Sequence, residues 1–244
     1  MLVDLFFYLT TPAKTRKTTM NTTQQPAAIV TGASSGIGLG ITLALLEHGY
    51  GVVGTSRSIS KSKELKASAD LVLSDGDISK NETAVKVAEA AIKHFGRIDL
   101  LVNNAGIFIP KPFTEYTEDD FNLVMNTNVA SYFFMMQQVI PQMKKQNSGH
   151  IVNISAVLAD QPSGRVPALL AVLSKSTMPA VSKALALEYA ASGVRVNTVS
   201  PGNVNTQCTQ TAIRMRWRNF IPSLGWLKFL TSLTQCSISR TLRS

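Results

Sequence analysis

Apolar runs and amphipathic stretches alternate between residues 26 and 202. Apolar runs of strand length occur in AAIVTG, YGVVGTSR, DLVLSDGDI, IDLLVNNAG, GHIVNIS and VRVNTVSPG. Between them, apolar residues recur at helical spacing, as in NETAVKVAEAAIKHFG, for which Asn81 is the predicted N-cap. Strands that alternate with helices predict a parallel sheet covered on both faces. The expected fold class is therefore α/β, with one doubly wound domain.

Two longer helices are predicted in the second half of the chain. Thr117 and Asp120 in YTEDDF have the spacing of a capping box, so we expect a helix from there to about Lys145. A second helix is expected from about Val166 to Ala191. No segment has the roughly 20 apolar residues that span a bilayer, so no membrane span is expected.

The two ends of the chain differ from the part between them. In residues 1–25 an apolar run precedes the basic residues, the reverse of a secretory signal, so we expect a disordered extension, with an amphipathic targeting segment as the alternative. Residues 207–244 contain both cysteines, both tryptophans and no acidic residue, and they show no long periodic element. Two explanations stay open for this basic tail. It is a basic amphipathic helix for a membrane or a partner, or the reading frame shifts near Thr206 and the sheet lacks its last strand.

The net charge of +9 comes mostly from those ends. Three basic residues and one acidic residue lie in 1–25, and six basic residues and no acidic residue lie in 203–244. Residues 26–202 are therefore close to neutral, and no nucleic-acid partner is expected. Cys208 and Cys236 show neither metal-ligand spacing nor a disulfide framework, so we expect no metal site and a reducing, cytoplasmic location.

A glycine-rich turn follows the first predicted strand. In TGASSGIG, Gly32, Gly36 and Gly38 stand between strand and helix at G-x-x-x-G-x-G spacing. Such a turn lets the backbone approach a pyrophosphate at a helix N-terminus, and Ser34 and Ser35 add hydroxyl donors. The sequence therefore predicts a dinucleotide site at this turn.

Five motifs resemble the short-chain dehydrogenase/reductase family. They are TGASSGIG, the pair Asp77-Ile78, NNAG at 103–106, NTNVAS and the SPG at 200–202. They occur in the family's order and at about its spacing, over residues 26–206. The resemblance implies a Rossmann-type fold, a nicotinamide cofactor and hydride transfer between a carbonyl and an alcohol. It also implies a homo-oligomer that pairs through the two long helices.

The resemblance assigns roles to individual residues. Asn128 would kink the long helix and help to hold a proton-relay water, and Lys175 would grip the nicotinamide ribose and lower the pKa of a tyrosine. The cofactor-binding residues expected from the turn and the resemblance are Gly32, Ser34, Ser35, Gly36, Ile37, Gly38, Asp77, Ile78, Asn104, Ala105, Gly106, Lys175, Pro201 and Gly202.

The sequence departs from the family at the proton donor. The family's tyrosine stands four residues before the lysine, where this chain has Ala171, and its serine matches Ala156, one residue after Ser155. Carbonyl reduction needs a proton for the developing alkoxide, and a positioned acid contributes roughly 10² to 10⁴ in rate. We therefore expect Lys175, Asn128 and Ser155 to form a catalytic site with an atypical or weakened donor. Water held by Lys175 or Ser155, or a group of the substrate, would give the proton.

The choice of cofactor depends on GTSRS, the end of the second predicted strand. An acidic residue there would bind the ribose hydroxyls and repel a 2′-phosphate, but this chain has Ser56 and Arg57. An arginine can hold a phosphate through two parallel N–H groups. NADP(H) is therefore favoured, and NAD(H) stays open.

Two functions follow from these features. The first is an NADP-dependent oxidoreductase acting on a small-molecule carbonyl or alcohol. The second is a non-catalytic protein that binds the dinucleotide or a partner chain. Retention of Lys175, Asn128 and the glycine-rich turn favours the enzyme.

Overall fold

The computed structural model of the protein describes residues 25–162, 164 and 166–202. The expectations for most of the N-terminal extension, for the basic tail and for a missing last strand fall outside these residues. The described residues form one sheet of six parallel strands: β1 (Ala27–Thr31), β2 (Gly51–Ser56), β3 (Leu71–Asp75), β4 (Leu100–Asn103), β5 (Gly149–Ile154) and β6 (Val194–Val199).

The strand order is β3-β2-β1-β4-β5-β6. The chain proceeds outward from β1 to β3 and then returns to place β4 on the other side of β1. The segments that follow β1 and β4 therefore leave the sheet in opposite directions and open a crevice at the carboxyl ends, the usual ligand site of such sheets. The predicted α/β fold, a Rossmann-type doubly wound parallel sheet, is confirmed.

Helices connect the strands and bury both faces of the sheet. In the described ranges they are α1 (Gly36–Glu47), α2 (Asn81–Phe95), α3 (Glu118–Met125), α4 (Ser131–Gln146), α5 (Val157–Asp160) and α6 (Leu169–Tyr189). Because successive strand residues point to opposite faces, Ile29 and Leu101 pack with α2, α4 and α6, whereas Val30 and Val102 pack with Leu45 of α1. Burial on both faces explains why the strands are apolar at nearly every position. None of the helices described has the length and apolar character needed to cross a membrane.

The helix starts test two local predictions. The capping box is confirmed, since the Thr117 hydroxyl accepts a hydrogen bond from the Asp120 N–H at 3.1 Å and the Asp120 carboxylate accepts one from the Thr117 N–H at 3.0 Å. The predicted N-cap at Asn81 is wrong, because the extended residue before α2 is Lys80 and Asn81 is already helical. The Asn81 side chain instead accepts a hydrogen bond from Gln138 of α4 at 3.2 Å, which joins the two helices.

The helix predicted between Glu118 and about Lys145 is interrupted. A π-helical turn at Asn126–Ala130 separates α3 from α4. Such wider turns shift the residues that follow around the helix axis and often lie at functional sites. Asn128 is the buried residue of this turn, so the interruption aims its side chain into the protein.

Candidate active site

A tight turn joins β1 to α1 at the crevice. Gly32 and Gly36 have φ angles of +66° and +56°, a left-handed backbone that glycine adopts without the strain of a Cβ atom. A Cβ atom on Gly38 would lie 2.2 Å from the Gly32 carbonyl oxygen, so a side chain there would displace the backbone. Glycine is therefore required for this turn to pack against the start of α1.

The turn after β4 is tied to the glycine-rich turn. The Thr31 hydroxyl accepts hydrogen bonds from the N–H groups of Asn104 and Ala105, both at 3.0 Å. The Asn104 side-chain amide donates to the carbonyl oxygens of Thr31 at 3.0 Å and Gly32 at 3.3 Å. These bonds join the carboxyl ends of β1 and β4 across the crevice. Sequence reasoning missed Thr31, whose place directly before Gly32 was its only signal.

The start of α1 is suited to an anion. The first N–H groups of a helix have no carbonyl partner within it, and the first turn of α1 contains no acidic residue. Ser35, the exposed residue that precedes the helix, makes no capping hydrogen bond with its side chain, and Ser34 lies beside it. Ile37 is partly buried and packs on the apolar cluster of the α1 face. A close-packed glycine turn beside the first N–H groups of a helix fits the pyrophosphate of a dinucleotide.

The carboxyl ends of β2 and β3 form the second part of the crevice. Arg57 directly follows β2 and is exposed. The 3₁₀ turn at Ile59–Lys61 is held against the end of β3, because the hydroxyl and the N–H of Ser60 both donate to the Asp75 carboxylate, the N–H at 2.8 Å. These two bonds, the hydroxyl's first, hold the pKa of Asp75 below its ordinary value. Sequence reasoning missed this pair, which is distant in the chain.

Asp77 and Ile78 lie just beyond β3. Ile78 is buried in the core, whereas Asp77 is exposed and accepts a hydrogen bond from the Ser79 N–H at 3.0 Å. Partial burial opposes the charge of Asp77, but the hydrogen bonds from Ser79 and the charges of Lys80 and Arg57 outweigh it, so the pKa of Asp77 is lowered. Arg57 and Asp77 therefore lie within electrostatic reach of each other on the predicted adenosine side.

Asn128 joins three parts of the crevice. Its Oδ1 atom accepts a hydrogen bond from the Ile107 N–H at 2.8 Å, and its Nδ2 atom donates to the Ile107 carbonyl and to the Ser174 hydroxyl, both at 3.0 Å. The side chain is fully buried. Asn128 therefore fastens the segment after Gly106 to the π-helical turn and to α6. Ser174, which sequence reasoning missed, stands one residue before Lys175.

Lys175 extends from α6 toward the end of β5. Its Nζ atom donates to the carbonyl oxygen of Ile154, the last residue of that strand, at 2.8 Å. A Cβ atom on Gly106 would lie 3.2 Å from this Nζ atom, so the glycine leaves room for the ammonium group. Burial lowers the pKa of Lys175 from 10.5 to about 8, and no charged side chain of the described residues contributes to the shift.

The residues at the family's serine and tyrosine positions offer no free acid. The Ser155 hydroxyl is buried and donates to the Lys175 carbonyl oxygen at 2.9 Å. Ala156 is the extended residue before α5, with φ of −151° and ψ of 144°. Ala171 lies in the first turn of α6 and on the same helix face as Lys175, because the two are four residues apart. Both alanines present only a methyl group.

The four tyrosines of the described residues lie at other places. The Tyr132 hydroxyl is 3.0 Å from that of Thr177, and the Tyr116 hydroxyl donates to a backbone carbonyl of the preceding loop at 2.8 Å. Tyr50 directly precedes β2, at the opposite edge of the sheet, and Tyr189 is the last residue of α6. None of these phenols substitutes for the family's tyrosine beside Lys175.

Pro201 and Gly202 complete the crevice after β6. The Pro201 carbonyl accepts a hydrogen bond from the Val157 N–H at 3.0 Å, which ties this segment to the start of α5. Gly202 is exposed, with open space where a Cβ atom would lie. The predicted site residues thus meet at the carboxyl edge of the sheet or beside it. In the described part of the chain, no three His, Cys, Asp or Glu side chains gather as a metal site.

Several solved structures share this fold. ElxO with NADP bound is 31% identical, with a TM-score of 0.69 and coverage of 78% of this chain and 79% of that one. A 3-ketoacyl-(acyl-carrier-protein) reductase from Brucella melitensis complexed with NADH is 27% identical, with a TM-score of 0.71 and coverage of 77% and 80%.

Curated proteins and a family profile agree with these likenesses. A 2-dehydro-3-deoxy-D-gluconate 5-dehydrogenase of Dickeya dadantii (strain 3937) is 37% identical over 194 residues, which cover 77% of this chain and 75% of the relative. The 3-oxoacyl-[acyl-carrier-protein] reductase FabG of Buchnera aphidicola is 32% identical over 231 residues, which cover 90% and 92%. The profile of the family described as short chain dehydrogenase matches residues 26–217. The chain therefore belongs to the short-chain dehydrogenase family of oxidoreductases.

Proposed function

We propose that the protein is an NADP-dependent oxidoreductase that transfers hydride between the nicotinamide and a small carbonyl or alcohol substrate, with a proton donor other than the family's tyrosine. One observation carries this proposal. The glycine-lined start of α1 and the Lys175 ammonium face the same crevice, joined through the linked turns after β1 and β4. When bound, the nicotinamide would supply or accept the hydride.

In this proposal, different residues of the chain bind different parts of the cofactor. The N–H groups at the start of α1, with Ser34 and Ser35, hold the pyrophosphate. Asp77 and Ile78 contact the adenine, and Lys175 donates to the nicotinamide ribose. The turns on either side of the nicotinamide are Asn104–Gly106 and Pro201–Gly202. Asn128 positions the first of these turns through its bonds to Ile107.

Arg57 supports NADP over NAD. It is exposed at the end of β2, and the residues beside it, Ser56 and Ser58, carry no charge that would repel a phosphate. The charge of Arg57 contributes to the lowered pKa of Asp77, so the guanidinium lies on this side of the crevice. ElxO, solved with NADP bound, is consistent with this choice, although the Brucella reductase was solved with NADH.

A second function is favoured by one observation. The Ser155 hydroxyl donates to the Lys175 backbone, and methyl groups stand at 156 and 171, so the serine and tyrosine of the family are both lost as acids. A chain that binds a dinucleotide without turning over a substrate would have the same features. The two functions differ in turnover and agree in cofactor binding.

Separate measurements of binding and turnover test the proposal. NADPH and NADH are titrated by fluorescence, and turnover is then measured as oxidation of 2-dehydro-3-deoxy-D-gluconate with NADP and as reduction of a 3-oxoacyl thioester with NADPH, the substrate types named for the relatives. We expect tighter NADPH binding and slow turnover of at least one of these substrates. Binding without turnover would support the non-catalytic alternative, and absence of binding would contradict both.

We also propose that two copies pair through α3, α4 and α6, as the family resemblance implies. Large apolar side chains are exposed on these helices, among them Leu123 at 54%, Phe133 at 54% and Leu187 at 83%. Exposed apolar side chains concentrated on one set of helices are typical of association surfaces. Light scattering that gave the mass of a single chain would contradict the pairing. The cytoplasmic location stays a prediction.

A further inference from the structure

The hydroxyl groups on α6 next to Lys175, and those bonded to this stretch of the helix, are engaged in hydrogen bonds within the protein. They belong to Ser155, Ser174, Thr177 and Tyr132. The first three donate to backbone carbonyls of α6, at 2.9, 3.2 and 3.0 Å, and the Tyr132 hydroxyl pairs with that of Thr177. The Asn128 amide is also occupied by Ile107 and Ser174. These groups therefore have their protons directed at the protein and not at a substrate oxygen.

The Lys175 ammonium retains donors for a ligand. An ammonium group has three N–H bonds, and one of them is directed at the Ile154 carbonyl. Gly106 has no side chain that could cover the Nζ atom, and a Cβ atom built on Gly106 would lie 3.2 Å from it. One helical turn before the lysine, Ala171 has a methyl group where the family has a phenol. A substrate oxygen can therefore approach from the side that a phenol would otherwise occupy.

We infer that the Lys175 ammonium itself delivers the proton to the substrate oxygen, so that this lysine is the catalytic acid as well as a cofactor ligand. The inference rests on the proposed function. As hydride adds to the carbonyl carbon, the electron pair of the C=O π bond moves to oxygen. That oxygen forms an O–H bond with the proton from Nζ, and one N–H bond of Lys175 breaks. The carbonyl gains the two electrons that the reduced nicotinamide loses, and the neutral amine regains a proton from water.

The acid strength of Lys175 suits this role. A catalytic acid works best when its pKa lies near the working pH, and burial brings the pKa of Lys175 to about 8. The Nζ atom donates to the Ile154 carbonyl of β5 and lies beside Gly106 of the turn after β4, neither of which ionises. No charged side chain of the described residues contributes to the shift of its pKa. A pH profile of the proton transfer should therefore follow the titration of this one amine.

The test compares wild type with Lys175→Arg, and uses Lys183→Arg as the matched control on an exposed part of α6. An arginine keeps the positive charge but cannot release a proton in this pH range. Single-turnover reduction of a 3-oxoacyl thioester is followed at saturating NADPH, from about pH 6 to 10. In parallel, NMR of lysine-labelled protein measures the titration of the Lys175 amine, with and without NADPH, independently of activity.

The expected result is agreement between the two titrations. The reduction rate should fall about tenfold per pH unit above the Lys175 inflection, and Lys175→Arg should lower the rate at saturating NADPH by about 10² or more. Lys183→Arg should leave this rate unchanged. If Lys175→Arg binds no NADPH, the comparison of the wild-type rate profile with the NMR titration decides alone.

Two other outcomes would overturn the inference in distinguishable ways. A wild-type rate that does not change through the Lys175 titration, or a Lys175→Arg variant that reduces ketone as fast as wild type, would assign the proton to another group and leave the proposed function standing. Absence of turnover of both the 3-oxoacyl thioester and 2-dehydro-3-deoxy-D-gluconate by wild-type protein with cofactor bound would remove the proposed function and the inference together.

Discussion

The two halves of the sheet have kept their expected chemistry to different degrees. The half made of β1, β2 and β3 has the whole predicted set: three glycines in a tight, close-packed turn, the serines beside it and Arg57 at the strand end. The half made of β4, β5 and β6 has kept Asn128 and Lys175 but has methyl groups at 156 and 171. Dinucleotide binding depends largely on backbone shape, whereas proton transfer depends on particular side chains. The second can therefore change by two substitutions without any change of fold.

The largest effect should come from breaking the first half at Gly38. In Gly38→Ala the new Cβ atom would lie 2.2 Å from a backbone oxygen, so the start of α1 must move. We expect NADPH affinity to fall by about 10² or more, because misplacement of about 1 Å has effects on this scale in other sites. Fluorescence titration measures the loss.

Gly96→Ala is the control for that substitution. Gly96 also has a left-handed φ of +73°, but nothing lies within 4 Å of its Cβ position and it ends α2 away from the crevice. We expect about 1 kcal/mol of destabilisation from backbone strain and unchanged NADPH affinity. Unchanged NADPH affinity in Gly38→Ala would show that the glycine turn does not hold the cofactor.

Restoring the second half at Ala171 should have the next largest effect. Ala171→Tyr places a phenol one helical turn before Lys175, whose positive charge favours the phenolate. We expect kcat/KM for ketone reduction to rise by roughly 10², the lower end of general-acid effects. If kcat/KM does not rise although NADPH affinity is intact, the missing phenol is not what limits the reaction. Adding Ala156→Ser to the Ala171→Tyr variant would then test whether the missing serine hydroxyl does.

The stability of the protein should depend on pH through Lys175, which lies in the second half. Its pKa is lowered in the folded protein, so the unfolded chain holds this proton more tightly between about pH 8 and the ordinary value of 10.5. The destabilisation from burying the charge is therefore complete below about pH 8 and is lost as the pH rises to 10.5. Allowing for partial exposure, we expect it to be about 2 kcal/mol at neutral pH.

Denaturant unfolding of Lys175→Met tests this pH dependence. At neutral pH the free energy of unfolding of the variant should exceed that of wild type, because no charge is buried. The lost hydrogen bond to Ile154 reduces this gain by about 1 kcal/mol, and that reduction is the same at every pH. The variant's advantage over wild type should shrink as the pH rises through the window. Lys183→Met, at an exposed position of the same helix, should show no such trend. A constant difference at every pH would contradict the lowered pKa.

The smallest effect should come from removing the residue of the first half that we expect to select NADPH over NADH. Arg57→Ala removes an exposed guanidinium that we expect to bind the 2′-phosphate. NADPH affinity should fall about tenfold, on the scale of a hydrogen bond to a charged group, while NADH affinity stays the same. Equal affinities of wild type for the two cofactors would contradict the preference for NADP.

Local signals in the sequence predicted most of the elements correctly. Apolar runs marked all six described strands, because a strand buried on both faces needs apolar residues at successive positions. The capping box at Thr117 and Asp120 was also correct, since its two hydrogen bonds connect residues three apart. The N-cap at Asn81 was wrong, because Lys80 is the extended residue before α2 and Asn81 is already helical. The Asn81 side chain binds Gln138 on a different helix, a partner that the local sequence does not reveal.

The sequence by itself determined the α/β fold and the edge of the sheet where the site lies. Strand periodicity, glycine at sterically closed positions and motif order are all properties of neighbouring residues, so they can be read without coordinates. Only the tertiary structure decided which polar groups remain available. Ser155 is engaged by the backbone of Lys175, Asn128 by Ile107 and Ser174, and the acid strength of Lys175 depends on its burial. Hydrogen-bond partners and burial come from segments far apart in the chain, and packing alone brings them together.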